Sequence, residues 1–222
     1  MKKLFVYGCS FSCAFQDLDH LPDINKKEGW PSIVAHKLGY LYVDRARPGY
    51  GWNHIVLSLD NDIANNRISK HDIIIISPSY FQRITFPEID DKKINQEWVE
   101  FSARYSVDID DVVSMNILRF YSKVVSLREL GYNIYGWCWT DNNFEEPKSI
   151  KLLNDMSDYL ISSPDGRVYW LEWILDNPEC MLIPGKRMPK GAHTGDSHFS
   201  KYGHSVAAKC FIEKLNSNRK II

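Results

Sequence analysis

The chain has 222 residues, 44% hydrophobic, 25% charged and 13% aromatic, proportions that exclude disordered, collagen-like and coiled-coil classes and fit one globular domain. Its 27 Lys and Arg stand against 28 Asp and Glu, so a formal charge of -1 supplies no global field for nucleic acid or an anionic membrane. Five cysteines (Cys9, Cys13, Cys138, Cys180 and Cys210) form no C-x-x-C pair and match no zinc spacing, and they read as thiols in a reducing compartment.

In chain order, the apolar run behind Met1-Lys2-Lys3 is too short for the h-region of a signal peptide. No window approaches the roughly 18 apolar residues of a membrane span, so a cytoplasmic location is expected, with no membrane or nucleic-acid partner. Residues 4–7 are a short apolar run stopped by Gly8, the pattern of a buried strand. Residues 31–38 place Ile33, Val34 and Leu38 on one helical face and end at Gly39. A second strand is expected at 41–43, and a helix over 52–63 through Ile55, Val56, Leu59 and Ile63. Four consecutive isoleucines at 73–76 predict a strand buried on both faces.

Between 87 and 110 the period breaks, which suggests an excursion over the sheet. Helical spacing resumes over 112–130 through Val113, Ile117, Phe120, Val124 and Leu127, and stops at Gly131. Residues 132–139 read as a strand and 180–183 as a weaker fifth. The last helix runs from Tyr202 or Gly203 to Leu215, with Val206, Ala207, Cys210, Phe211 and Leu215 on one face. No repeat or linker interrupts 1–222, so a single domain is expected, with insertions at about 84–111 and 140–190. Strands separated by helices pair in parallel through right-handed crossovers. That predicts a three-layer α/β/α sandwich around a mainly parallel five-stranded sheet, with chemistry at the carboxyl ends of the strands.

The first strand leads into Gly8-Cys9-Ser10-Phe11-Ser12, a turn that presents hydroxyl groups at such an end. Near the other terminus, Asp196-Ser197-His198 offers partners for them. A carboxylate can hold an imidazole's orientation while the other ring nitrogen takes a serine proton. Each residue also has a plain structural reading: Ser10 as a turn or N-cap hydroxyl, Asp196 as a turn residue, His204 as a packing or capping group. Cys9 is a rival nucleophile, better read as a small buried hydrophobe. His193, Asp196, His198 and His204 fit no common helix-borne ligand spacing, so no metal is expected. Trp137 and Trp139 read as core more readily than as a pocket wall.

Taken together these blocks resemble the SGNH or GDSL-type hydrolases, whose first block reads Gly-Asp-Ser-x-Ser and whose last reads Asp-x-x-His-x-x-x-x-Gly-His. Against the first stands Gly8-Cys9-Ser10-Phe11-Ser12, and against the last Asp196-Ser197-His198 followed by Gly203-His204. Between them Gly29-Trp30-Pro31, Leu38-Gly39 and Ala46-Arg47-Pro48-Gly49, with Asn53 four residues further on, follow in the family's order. The resemblance implies an SGNH-like sandwich with flavodoxin-like strand order and a cofactor-free serine esterase or deacylase acting on a small-molecule or glycan ester. It implies Ser10 as nucleophile, His198 rather than His204 as general base and Asp196 as orienting carboxylate. The backbone N–H groups of Ser10 and Gly49 become oxyanion donors.

Two departures qualify the match. The family's third block, Gly-x-Asn-Asp, is replaced here by Ser-Pro-Ser-Tyr-Phe-Gln-Arg at 77–83, and the Asp-to-His spacing is one residue shorter. Ser79 then sits nearest the expected side-chain oxyanion donor, with Asn53, Gln82 and Arg83 as substitutes. The alternatives are an O-acyltransferase using the same triad and a binding or structural protein, a viral one included, in which loss of the third-block Asn weakened catalysis.

Overall fold

The computed structural model of the protein describes residues 1–12, 29–48, 50–78, 109–139, 147–185 and 196–217. Strand β1 (Lys3–Tyr7) pairs in parallel with β2 (Leu41–Asp44) on one side and β3 (Ile73–Ile76) on the other, and β3 pairs in parallel with β4 (Asn133–Gly136), giving the order β2-β1-β3-β4. Helices α1 (Trp30–Leu38), α2 (Trp52–Ala64) and α3 (Ile109–Glu129) connect or cover these strands. The described residues also form α4 (Pro147–Asp155), α5 (Trp170–Asp176), β5 (Met181–Ile183), β6 (Asp196–Phe199) and α6 (Lys201–Ser217).

Side chains alternate across a strand, so an all-apolar strand must be covered on both faces. Leu4, Val6, Ile73 and Ile75 pack on one side with Trp30 and Val34 of α1 and Ala207 and Phe211 of α6. Phe5, Tyr7, Ile74 and Ile76 pack on the other with Ile55 and Leu59 of α2 and Phe120 and Val124 of α3. The result is a three-layer α/β/α sandwich. Helix α1 stops at Gly39, whose φ of 68° lets Tyr40 N–H reach the Ala35 carbonyl at 2.9 Å.

Among the described residues the sheet has four strands rather than the five expected. The 180–183 run is cut short by Pro178 and Pro184, and Met181–Ile183 pairs antiparallel with β6 in a separate two-stranded sheet. The outer edge of β4 is met instead by irregular chain. Ile161 N–H donates to the Gly136 carbonyl at 2.8 Å, and Trp170 N–H donates to the Cys138 carbonyl at 3.0 Å. Those two segments belong to the 140–190 stretch, described from 147 to 185, where α4 and α5 lie. Leu153, Met156 and Leu160 join one core, and Ile161, Trp170, Leu171 and Ile174 the other. The excursion expected over 87–110 lies outside the described residues apart from the start of α3.

A buried carboxylate ties this frame together. Asp62 of α2, 2% exposed, accepts from Tyr7 Oη at 2.7 Å, Arg45 Nε at 2.6 Å and an Arg67 guanidinium nitrogen at 3.0 Å. Burial alone would raise its pKa, but hydrogen bonds from Arg45, Tyr7 and Arg67 outweigh that and hold it below the ordinary carboxylate range. Tyr7 is pushed up by its burial and then by its bond to Asp62. No described helix is long and apolar enough to cross a membrane.

Candidate active site

Beyond Tyr7 the chain leaves the sheet through Gly8 and Cys9 and enters a single 3-10 turn, Ser10–Ser12, closed by Ser12 N–H donating to the Cys9 carbonyl at 2.9 Å. Glycine is required at position 8, because a Cβ there would stand 2.2 Å from Ser12 Oγ. The turn is pinned from outside by the Trp30 indole N–H, which donates to the Phe11 carbonyl at 3.0 Å. Phe11 and Ser12 are buried, whereas Ser10 is half-buried and faces out of the core. The backbone N–H of Ser10 has no acceptor among the described residues.

His198 reaches this turn from the far end of the chain. It lies on β6 between buried Ser197 and Phe199, which hold the strand against β5 and the aromatic core. Its Nε2 is 2.8 Å from Ser10 Oγ across 188 positions of sequence. With the ring proton on Nδ1, the serine hydroxyl donates to Nε2, the arrangement a general base needs to take that proton. Phe11 stacks on the imidazole with centroids 4.1 Å apart and planes within 16°.

The remaining candidates fall in different places. Asp196 opens β6, two residues before His198, with its backbone opposite Ile183; its side chain lies outside the described residues, as do Gly49, Ser79, Gln82 and Arg83. Asn53 is exposed and lines a groove of about 760 Å³ between α2 and α3, with Trp52, Leu57 and Leu118 among its neighbours. Cys9 is fully buried in the core with Trp30 and Trp137. Among the described residues no group of three or more His, Cys, Asp and Glu is arranged to hold a metal.

No family model and no curated protein matches the chain by sequence. Solved structures do match in fold. The psychrotrophic esterase EstA from Pseudoalteromonas sp. superposes with a TM-score of 0.55 at 9% identity, covering 99% of this chain and 100% of that one. A member of the lipolytic protein G-D-S-L family from Veillonella parvula DSM 2008 gives 0.55 at 10% identity, over 96% and 97% of the two chains. A family two carbohydrate esterase from Clostridium thermocellum gives 0.51 at 11% identity, over 100% of this chain and 65% of that one. The chain has the SGNH-hydrolase fold.

Within that SGNH fold the Gly29-Trp30-Pro31 and Gly203-His204 blocks meet each other. Gly29 offers no side chain to cap α1. The Trp30 N–H donates instead to His204 Nδ1 at 3.1 Å, so a histidine of α6 caps the first turn of α1. His204 is 3% exposed, and burial, followed by its electrostatic interaction with nearby His198, pushes its pKa down to about 4. A neutral ring that accepts a backbone N–H is the state this burial favours. Helix α6 is itself capped by Ser200, whose Oγ accepts Gly203 N–H at 3.1 Å while donating to the Glu179 carbonyl at 2.8 Å. Trp30 thus joins His204 to the turn that carries Ser10. Sequence reasoning placed it in the Gly-Trp-Pro block without a role, because its two partners are 19 and 174 residues away.

Proposed function

We propose that the chain is a serine-dependent ester hydrolase that works through an acyl-enzyme on Ser10. The observation that carries this reading is the 2.8 Å approach of Ser10 Oγ to His198 Nε2 at the carboxyl end of β1. Ser10 Oγ attacks the ester carbonyl as its proton passes to Nε2, and the imidazolium then protonates the leaving alcohol. Water, deprotonated by the same nitrogen, attacks the acyl-enzyme and frees Ser10. The unengaged Ser10 N–H is a donor for the developing oxyanion, and Gly49 N–H is the second donor in this reading. Asp196 takes the role of orienting the ring through Nδ1. The SGNH fold shared with EstA, an esterase whose structure is inhibited by monoethylphosphonate, supports the same chemistry.

The test is covalent labelling by a fluorophosphonate probe, followed by mass spectrometry of the modified peptide. The expected adduct sits on Ser10 and disappears in Ser10→Ala. A natural chain that stays unlabelled at millimolar probe, while folded by circular dichroism, overturns the hydrolase reading.

A further inference from the structure

His198 is held by more than its serine. Three rings stand in a column: Trp139 stacks on Phe11 at 3.9 Å between centroids and 17° between planes, and Phe11 stacks on His198 at 4.1 Å and 16°. The column is braced at its base, where Trp139 is 1% exposed and meets Trp137 and Phe199 edge-on at 5.9 Å and 5.2 Å. Its middle ring is fixed too, since Phe11 is 6% exposed and its carbonyl receives the Trp30 indole N–H. A half-buried imidazole on a strand edge would otherwise retain rotamer freedom that the proton transfer must restrict.

From this column we infer that Phe11 is a positioning residue for the Ser10–His198 pair, a role that rests on the reading of Proposed function. It acts in two ways. Stacking fixes the plane of the imidazole so that Nε2 stays directed at Ser10 Oγ. The electron-rich face of Phe11, backed by Trp139, attracts the positive charge that appears on His198 only after Ser10 gives up its proton. An attraction present in the transition state and weak in the ground state raises kcat and leaves KM nearly unchanged.

The test replaces Phe11 with mono-, di- and pentafluorophenylalanine, which keep the ring's shape while draining its π face, and with Leu, which removes the ring. With p-nitrophenyl acetate as probe, kcat is expected to fall step by step along the fluorinated series at constant KM, by about three- to thirtyfold at its end. Equal kcat across the series, or a change confined to KM, overturns the charge-stabilising role. A second measurement is independent of any turnover. The ring protons of His198 should resonate upfield in the natural chain, through the Phe11 ring current, and move downfield in Phe11→Leu. Identical resonances in the two proteins overturn the stacking role. A chain that shows the upfield signals but neither labels nor hydrolyses keeps the stack and loses the hydrolase reading, so the two failures are distinguishable.

Discussion

His198 and His204 are six residues apart and sit in opposite physical situations. His198 is half-buried at the end of a short strand, with Nε2 against a hydroxyl and one face against Phe11. His204, one turn into α6, is almost fully buried, accepts a backbone N–H and packs edge-on against Phe199. The difference teaches that an imidazole's role is set by what faces each nitrogen and by its access to solvent, and that closeness in sequence does not decide it.

The sharpest way to break that contrast is to exchange the two losses. His198→Ala should slow fluorophosphonate labelling by about a thousandfold or more while the protein stays folded, because among the described residues no other base is in contact with Ser10. His204→Asn, whose Oδ1 can accept the Trp30 N–H, should label at a rate close to that of the natural chain. Equal losses in the two variants would contradict the assignment of His198 alone.

The next largest effect is on stability against pH. His204 binds its proton less readily folded, near pH 4, than unfolded, where an ordinary histidine titrates at about 6.5. Between those values the unfolded state holds more protons, so stability is full above about pH 6.5 and falls as pH drops toward 4, by about 3 kcal/mol in total. Urea midpoints from pH 7.5 to 4.5 should show that slope in the natural chain and a flatter one in His204→Asn. A parallel slope in both would remove His204 from the account.

The smallest effect belongs to the Asp62 cluster, far from either histidine in role. Its carboxylate has a depressed folded value, so its contribution is present above the ordinary carboxylate range near 3.9 and lost only as pH falls further, below the His204 window. Asp62→Asn should cost about 2 kcal/mol in urea unfolding, since the amide carries no charge and keeps one acceptor oxygen where the carboxylate's two receive Tyr7, Arg45 and Arg67. Labelling of the folded variant should be unchanged. An impaired rate would tie this cluster to the site.

Much of the fold was legible in the chain, and particular residues show why. Tetra-isoleucine 73–76 has one stable environment, the middle of a sheet covered on both faces, and β3 has those bounds. Gly39 and Gly131 ended helices where a left-handed residue was needed. Helix α5 was missed because Trp170, Leu171, Trp173 and Ile174 fill a seven-residue segment too short to display a period. Strand β6 was missed because Asp196-Ser197-His198-Phe199 has no β-branched residue, and its pairing with β5 supplies what local propensity lacks. The expected fifth strand failed for the complementary reason, that an apolar run does not specify which edge it joins.

The sequence by itself determined the alternation of strands and helices, the exit from β1 at Gly8 with Ser10 just beyond it, and the presence of histidines late in the chain. Those features depend on local pattern and on a few steric necessities. Only the tertiary structure decided that His198 meets Ser10 while His204 caps α1, and that Phe11 stands between Trp139 and the imidazole. Contacts across 174 and 188 residues are set by how the layers pack, and no local pattern of residues carries that geometry.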